Sequence, residues 1–186
     1  MVKLSKFLAL ILRHQPERFG LPLDEAGWAS LSEVMEILQG LPNFRWATRT
    51  DVMRLVEEGA GDTKRRFEVD EEGKKIRARY GHTLSQDIHY ELCVPPARLY
   101  HGTASEKVAT IRREGLRAMA RQYVHLSVDR ENAARVGARH TAHPVILTVR
   151  AEKAQAAGIA FYQADDVVYL ARHIPPEFLE FPDDTA

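Results

Sequence analysis

An apolar run cut off by two cations and a proline constrains this chain first. Residues Leu4 to Pro16 read Leu-Ser-Lys-Phe-Leu-Ala-Leu-Ile-Leu-Arg-His-Gln-Pro. Wound at 100° per residue, Leu4, Phe7, Leu8 and Ile11 fall on one face, as an amphipathic helix requires. His14 continues that row, so it is expected at the edge of the buried face, with Arg13 on the opposite side. Cations at the end of a helix have an ordinary explanation, because they meet the negative end of the macrodipole. A guanidinium and an imidazole delivered together gain interest because further arginines and histidines recur where a core has no need of them.

Past Pro16, Phe19 to Gly27 carries the glycine and proline content of a loop. Ser30 with Glu33 three residues on forms a capping box, and Leu31, Val34, Met35 and Leu38 give the stripe of a second helix, closed by Gly40 and Pro42. A third helix is expected from Thr48 or Thr50 through Val52, Leu55 and Val56 to Gly59. Arg66–Val69 and Lys75–Tyr80 then alternate with period two around Asp70-Glu71-Glu72-Gly73, which reads as a hairpin. Three short helices followed by a hairpin resemble a winged helix. Phe67, Val69, Ile76, Ala78 and Tyr80 would face its core, and Arg66, Glu68, Lys75, Arg77 and Arg79 would face out.

Charge is balanced over the whole chain, at 26 Lys plus Arg against 26 Asp plus Glu, so it announces no nucleic-acid partner globally. Locally it does. From Lys64 to Arg79 there are seven basic residues against four acidic ones. Several arginines on one sheet face make a phosphate-binding surface, since guanidinium grips phosphate bidentately. The plain alternative is a solvated hairpin laced by cross-strand ion pairs.

The single cysteine, Cys93, excludes an intramolecular disulfide and a Cys-rich zinc site. No apolar run is long enough to span a bilayer, and the opening residues do not read as a signal peptide. A cytoplasmic protein is the expectation, and nothing demands more than a monomer. Pro95-Pro96 marks a stiff linker. The boundary is expected between about Ser85 and Ala97, giving one lobe over 1–90 and another over 91–186.

In the second half, Arg98–Thr103 reads as a strand broken by Gly102. A helix capped by Ser105 or Thr103 runs through Val108 and Ile111 to Gly115. Tyr123–Ser127 is a further strand, Asp129 caps a helix to Gly137, and β-branched Val145–Val149 forms a central strand. Short strands are expected near Phe161–Gln163, Val167–Leu170 and Phe178–Phe181. The fold class is therefore α+β, with a split, mostly antiparallel sheet in this lobe. No GxGxxG follows a strand and no Gly-Lys-Ser/Thr loop occurs, so neither a Rossmann site nor a P-loop is supported. His140 and His143 lack a nearby carboxylate pair, and metal binding is not expected.

These stretches together resemble the RNA (tRNA) 2′-phosphotransferase family. Leu4-Ser5-Lys6 through Arg13-His14-Gln15-Pro16 is similar to its opening signature, and Lys64-Arg65-Arg66-Phe67 to its Lys-x-Arg-Phe stretch. Ile76-Arg77-Ala78-Arg79-Tyr80-Gly81-His82-Thr83 is similar to its Ile-Arg-Ala-x-Gln-Gly-His-Ser. Leu99-Tyr100-His101-Gly102-Thr103, Gly115-Leu116, Arg121 with Val124-His125-Leu126-Ser127, and Val136-Gly137-x-Arg139-His140 follow in order. The co-linear set spans nearly the whole chain.

The resemblance implies a winged-helix RNA lobe followed by an NAD-binding lobe of the ADP-ribosyltransferase type. It implies that NAD is consumed, no metal being required, while an internal 2′-phosphate is removed from RNA, above all tRNA. The family's essential Arg-His-Arg-Arg set carries over to Arg13, His14, Arg66 and Arg121. Contacts to NAD carry over to Tyr100, His101, Gly102, Thr103, His125, Leu126, Ser127 and Arg139. Contacts to RNA carry over to Arg65, Arg77, Arg79, His82 and Thr83. Arginines suit a phosphate whose charge changes during reaction, and a histidine near neutral pKa suits moving a hydroxyl proton.

The chain departs from the family at Tyr80 for Gln, Thr83 for Ser, Tyr123 for His, and Asp166-Val167-Val168-Tyr169-Leu170 for Asn-Gly-Val-Trp-Leu. Two other readings stay open. One is an ADP-ribosyltransferase that caps RNA or DNA phosphate ends, and the other a non-catalytic nucleic-acid binder that senses NAD.

Overall fold

In a computed structural model, which describes residues 1–60 and 65–182, the opening apolar run forms helix α1 (Val2–Arg13). Lys64, counted above with the basic stretch, lies outside the described residues. The chain divides into two units, Met1–His89 and Tyr90–Ala186, each with its own apolar core. No helix among the described residues is long and apolar enough to cross a membrane.

In the first unit α1 buries Leu4, Leu8, Ile11 and Leu12 completely, while Phe7 stacks on Phe44 at 4.5 Å and meets Phe19 edge-on at 5.3 Å. Strand β1 (Trp28–Ser30) leads into α2 (Leu31–Gly40), where Ser30 accepts from the Glu33 amide at 3.5 Å. Helix α3 (Arg49–Glu58) begins with a complete capping box between Thr48 and Asp51, which satisfies orphan donors at both ends of the exchange. The hairpin follows as β2 (Phe67–Val69) and β3 (Lys75–Ala78), in a three-stranded antiparallel sheet of order β1-β3-β2. Asp70 pins its turn, its Oδ1 accepting from the amides of Lys74 at 2.7 Å and Lys75 at 2.9 Å. Strand β1 is a finding beyond the sequence reading, which ends its loop at Gly27 and gives Trp28 and Ala29 no element. Its three residues pair with β3 from Trp28↔Arg77 to Ser30↔Lys75.

The second unit comprises β4 (Leu99–Thr103), α4 (Ser105–Glu114), β5 (Leu116–Arg117), β6 (Val124–Ser127), α5 (Arg130–Gly137), β7 (Val145–Val149) and α6 (Ala151–Ala156). It ends with β8 (Tyr162–Asp165), β9 (Val168–Ala171), β10 (His173–Ile174) and β11 (Leu179–Glu180). Six strands form one antiparallel sheet of order β11-β7-β4-β6-β9-β8, and β5 pairs with β10 separately. The mixed helix-and-sheet composition with antiparallel pairing agrees with an α+β class. The larger sheet is nearly split at its middle, where β4 and β6 share only the pair Tyr100↔Ser127, against five pairs between β4 and β7. One expectation about α4 needs correction: its N-cap is Ala104, without a side-chain bond, in place of Ser105 or Thr103. Asp129 does cap α5, accepting from the Asn132 amide at 2.7 Å.

Candidate active site

The end of α1 is where the first unit gathers its candidates. The helix stops at Arg13, and His14 leaves helical geometry at φ −122°, ψ −42°. Periodicity continued past that point puts His14 at the buried edge and Arg13 outside, and the structure reverses this. His14 is exposed. Arg13 is half-buried, its guanidinium 5.7 Å from the Phe67 ring centre and 5.5 Å from that of Tyr80. Such faces attract a cation while leaving its edge donors usable.

Hydrogen bonds then stitch the hairpin to this helix end. The Arg66 carbonyl accepts from Arg13 Nη2 at 3.1 Å and from the Arg79 amide at 3.0 Å. The strand leads into Gly81, whose φ of +89° favours glycine, and a Cβ there would lie 3.5 Å from Arg13 Nη1. Two residues on, the Thr83 amide donates to the Arg13 carbonyl at 3.0 Å and Thr83 Oγ1 lies 2.9 Å from His14 Nδ1. Arg13, His14, Arg66 and Thr83 are thus brought together in one unit.

The other residues expected to touch RNA have different settings. Arg65 is exposed. Arg77 bonds Glu68 at 2.5 Å, donates to the Ala26 carbonyl and stacks on Trp28 at 4.4 Å. Arg79 shares the same Glu68 at 3.6 Å and donates to the Phe67 carbonyl. For this pair the structure realises the cross-strand alternative, because the register sets Glu68 opposite Arg77. His82 is only 2 % exposed, so its ring is packed below the surface. Burial, reinforced by Arg13, His14 and Arg77, pushes its pKa down to about 3 and keeps the ring neutral.

In the second unit the near-split in the sheet organises the candidates. His101 Nδ1 lies 3.0 Å from the His125 carbonyl, bridging β4 to β6 where ladder pairing has ceased. A carbonyl only accepts, so Nδ1 carries the proton. Burial lowers the His101 pKa, this bond opposes the shift, and Lys107 and His140 add to the lowering. Arg121 is exposed, and its Nη1 lies 3.4 Å from His125 Nδ1, which must be the acceptor.

Gly102 faces helix α5: a Cβ there would come within 2.1 Å of the Ala133 carbonyl oxygen. The missing side chain serves the packing of helix on strand, in addition to whatever a ligand needs. Thr103, Leu126 and Ser127 are buried, and Arg139 is exposed. Tyr100 is half-buried beneath the Arg130 guanidinium at 5.7 Å, a cation that the sequence reading passes over. Tyr123, one of the departures, packs edge-on against Tyr90 and Tyr162 at 5.4 Å each, with Arg172 at 4.8 Å. Among the described residues no group of three or more His, Cys, Asp or Glu side chains is arranged to hold a metal ion.

Comparison with known proteins decides the family. A model of the RNA 2′-phosphotransferase, Tpt1 / KptA family matches residues 1–173. The chain belongs to the RNA 2′-phosphotransferase family. A relative from Streptomyces griseus is 45% identical, covering 96% of this chain and 95% of its own. One from Flavobacterium johnsoniae is 41% identical, over 96% and 94%, and one from Pectobacterium atrosepticum 42%, over 95% and 96%. All three carry the name “Probable RNA 2′-phosphotransferase”. The family match spans every candidate in both units, from Arg13 to Arg139.

Proposed function

We propose that this chain is an NAD-dependent transferase that removes an internal 2′-phosphate from RNA, with tRNA as the natural class of substrate. The observation that carries the reading is the stitched end of α1. A guanidinium bonded to the Arg66 carbonyl, beside an exposed imidazole bonded to Thr83, suits a bound phosphate ester and a proton in motion. In this reading Arg13 and Arg66 hold the 2′-phosphate charge, and no metal is required.

NAD enters as a consumed substrate. The 2′-phosphate attacks the anomeric carbon of the nicotinamide ribose, nicotinamide leaves, and an RNA-2′-phospho-ADP-ribose adduct results. The neighbouring ribose 2″-hydroxyl then attacks phosphorus, and the RNA 2′-oxygen departs. The products are RNA with a free 2′-hydroxyl and ADP-ribose 1″,2″-cyclic phosphate. His14 takes the hydroxyl proton in that second step.

The donor set of the second unit supports a ligand rich in hydroxyls and phosphates. It combines a neutral His101 of fixed tautomer, His125 and the cations Arg121 and Arg139. A small sheet with three helices supports a winged-helix RNA lobe, and a nearly split antiparallel sheet supports an ADP-ribosyltransferase-type lobe. The protein would work in the cytoplasm as a monomer.

The test is product analysis after mixing the protein with NAD and a 2′-phosphorylated oligonucleotide. Nicotinamide, dephosphorylated RNA and the cyclic phosphate are expected together, and excess chelator should leave their yield intact. An accumulating phosphate-linked ADP-ribose with no dephosphorylation would favour an end-capping transferase, and RNA retention without nicotinamide release would favour a non-catalytic binder.

A further inference from the structure

We propose that Thr83 is a positioning residue for His14, engaging Nδ1 so that Nε2 is the ring nitrogen that handles the proton; this rests on the reaction proposed above. His14 lies just past the last turn of α1 and is exposed, so the helix does not fix its ring plane. Thr83 Oγ1 reaches Nδ1 at 2.9 Å. The threonine is itself fixed, because its amide donates to the Arg13 carbonyl at 3.0 Å. Its β-branched side chain has few rotamers to choose from. The residue holding the imidazole is therefore anchored to the residue immediately before it.

The contact has a chemical consequence. A hydroxyl can donate or accept; in the tautomer whose Nδ1–H donates to Oγ1, Nε2 carries the lone pair and acts as the base. When the 2″-hydroxyl oxygen bonds to phosphorus, its proton passes to Nε2. The bond from phosphorus to the RNA 2′-oxygen breaks, and that oxygen takes the proton from Nε2. During the interval the ring is an imidazolium, and its Nδ1–H bond to Thr83 becomes charge-assisted and stronger. Thr83 thus acts on the proton through His14.

Two measurements test this in the full-length protein. Ring-nitrogen NMR of ¹⁵N-histidine protein, at alkaline pH, is expected to find the His14 proton on Nδ1 and to find that bias lost in Thr83→Val. Rapid-quench gels with radiolabelled 2′-phosphorylated RNA are expected to show Thr83→Val accumulating the adduct. Adduct breakdown should slow about tenfold, the worth of one hydrogen bond that water partly replaces. Thr83→Ser should restore the rate. In a His14→Ala background Thr83→Val should add nothing, since coupled residues are not additive. An unchanged tautomer in Thr83→Val would overturn the proposal. So would a raised KM for RNA with both steps intact, or full slowing without His14. A wild-type protein that released no nicotinamide would sink the reaction itself, and the nitrogen spectra would still decide whether Thr83 orients the ring.

Discussion

The two units hold their candidate residues by opposite means. In the first, the cation is constrained and the imidazole is exposed: Arg13 is half-buried against Phe67 and Tyr80 and tied to a carbonyl, while His14 stands at the surface with Thr83 on its Nδ1. In the second, the imidazole is constrained and the cation exposed: His101 is bonded across the sheet, and Arg121 reaches out to His125 at 3.4 Å. A tethered guanidinium holds a phosphate with little reorganisation, which is how electrostatic stabilisation becomes effective. A tethered neutral imidazole offers a directional hydrogen bond without adding charge. The first arrangement suits an anion that must stay in place through a reaction, and the second suits a ligand recognised by its hydroxyls.

The sharpest way to break this contrast is at Arg13. Arg13→Ala is expected to lower turnover by about two to four orders of magnitude, with the adduct accumulating. Arg13→Lys should recover little, because an ammonium cannot serve ring faces and a carbonyl while presenting a flat fork of donors. Steady-state assays with NAD and 2′-phosphorylated RNA measure both. Substantial activity in the lysine variant would mean that charge, and not tethered geometry, is what the first unit supplies.

A smaller effect is expected at Gly102. Gly102→Ala sets a methyl against the Ala133 carbonyl and should cost the second unit about 1–3 kcal/mol, the usual penalty of overpacking. Thermal unfolding combined with amide exchange should find the loss within the strands around β4 and not in α1. Weakened NAD binding at unchanged stability would instead assign Gly102 to the ligand alone.

His82 gives a pH-dependent comparison. Its pKa is 6.5 in the ordinary state and about 3 when folded, so between those values the unfolded chain binds more protons. Stability should therefore fall as pH falls through this window, by up to about 1.4 kcal/mol per pH unit from this residue. His82→Gln should flatten that slope in urea unfolding series, even if it is less stable at neutral pH. An unchanged slope would mean that the ring is protonated in the folded protein.

The smallest effect is expected at Glu68, which neutralises Arg77 and Arg79. Glu68→Gln should change stability by less than about 1 kcal/mol, as for other partly exposed pairs. It should tighten RNA binding a few-fold at low salt and steepen the salt dependence, by returning two guanidinium groups to the phosphate surface. Fluorescence anisotropy over a salt series reads both. No change would mean that these arginines serve the hairpin only.

Much of this was legible because local chemistry and global fold agree. The row Leu4, Leu8, Ile11 announces α1, Val52, Leu55 and Val56 announce α3, whose start the structure fixes at Thr48 over Thr50, and Asp70 to Gly73 announces the hairpin. Strand β1 was not legible, since three residues carry too little alternation to stand out from the preceding turn. The inversion of Arg13 and His14 has a similar cause: a helical period was extended one residue beyond the helix, and two aromatic rings contributed by the hairpin side of the unit then decided which residue turned inward. The set Arg13, His14, Arg66 was assembled by resemblance. Arg66 is far from the other two in sequence, and a long-range bond from the Arg13 guanidinium to its carbonyl brings them together.

The shared carbonyl of Arg66 limits how this lobe can change in length. Residues added in the turn at 70–73 would lengthen the tip of the hairpin and leave both partners of that carbonyl in place. One residue added between Arg66 and Phe67 would do far more. It would turn Arg66 to the other face of the strand, because side chains alternate with period two. It would also withdraw the acceptor that Arg13 and the Arg79 amide both use. Insertions in this lobe should therefore be tolerated at the tip of the hairpin and rejected at its base.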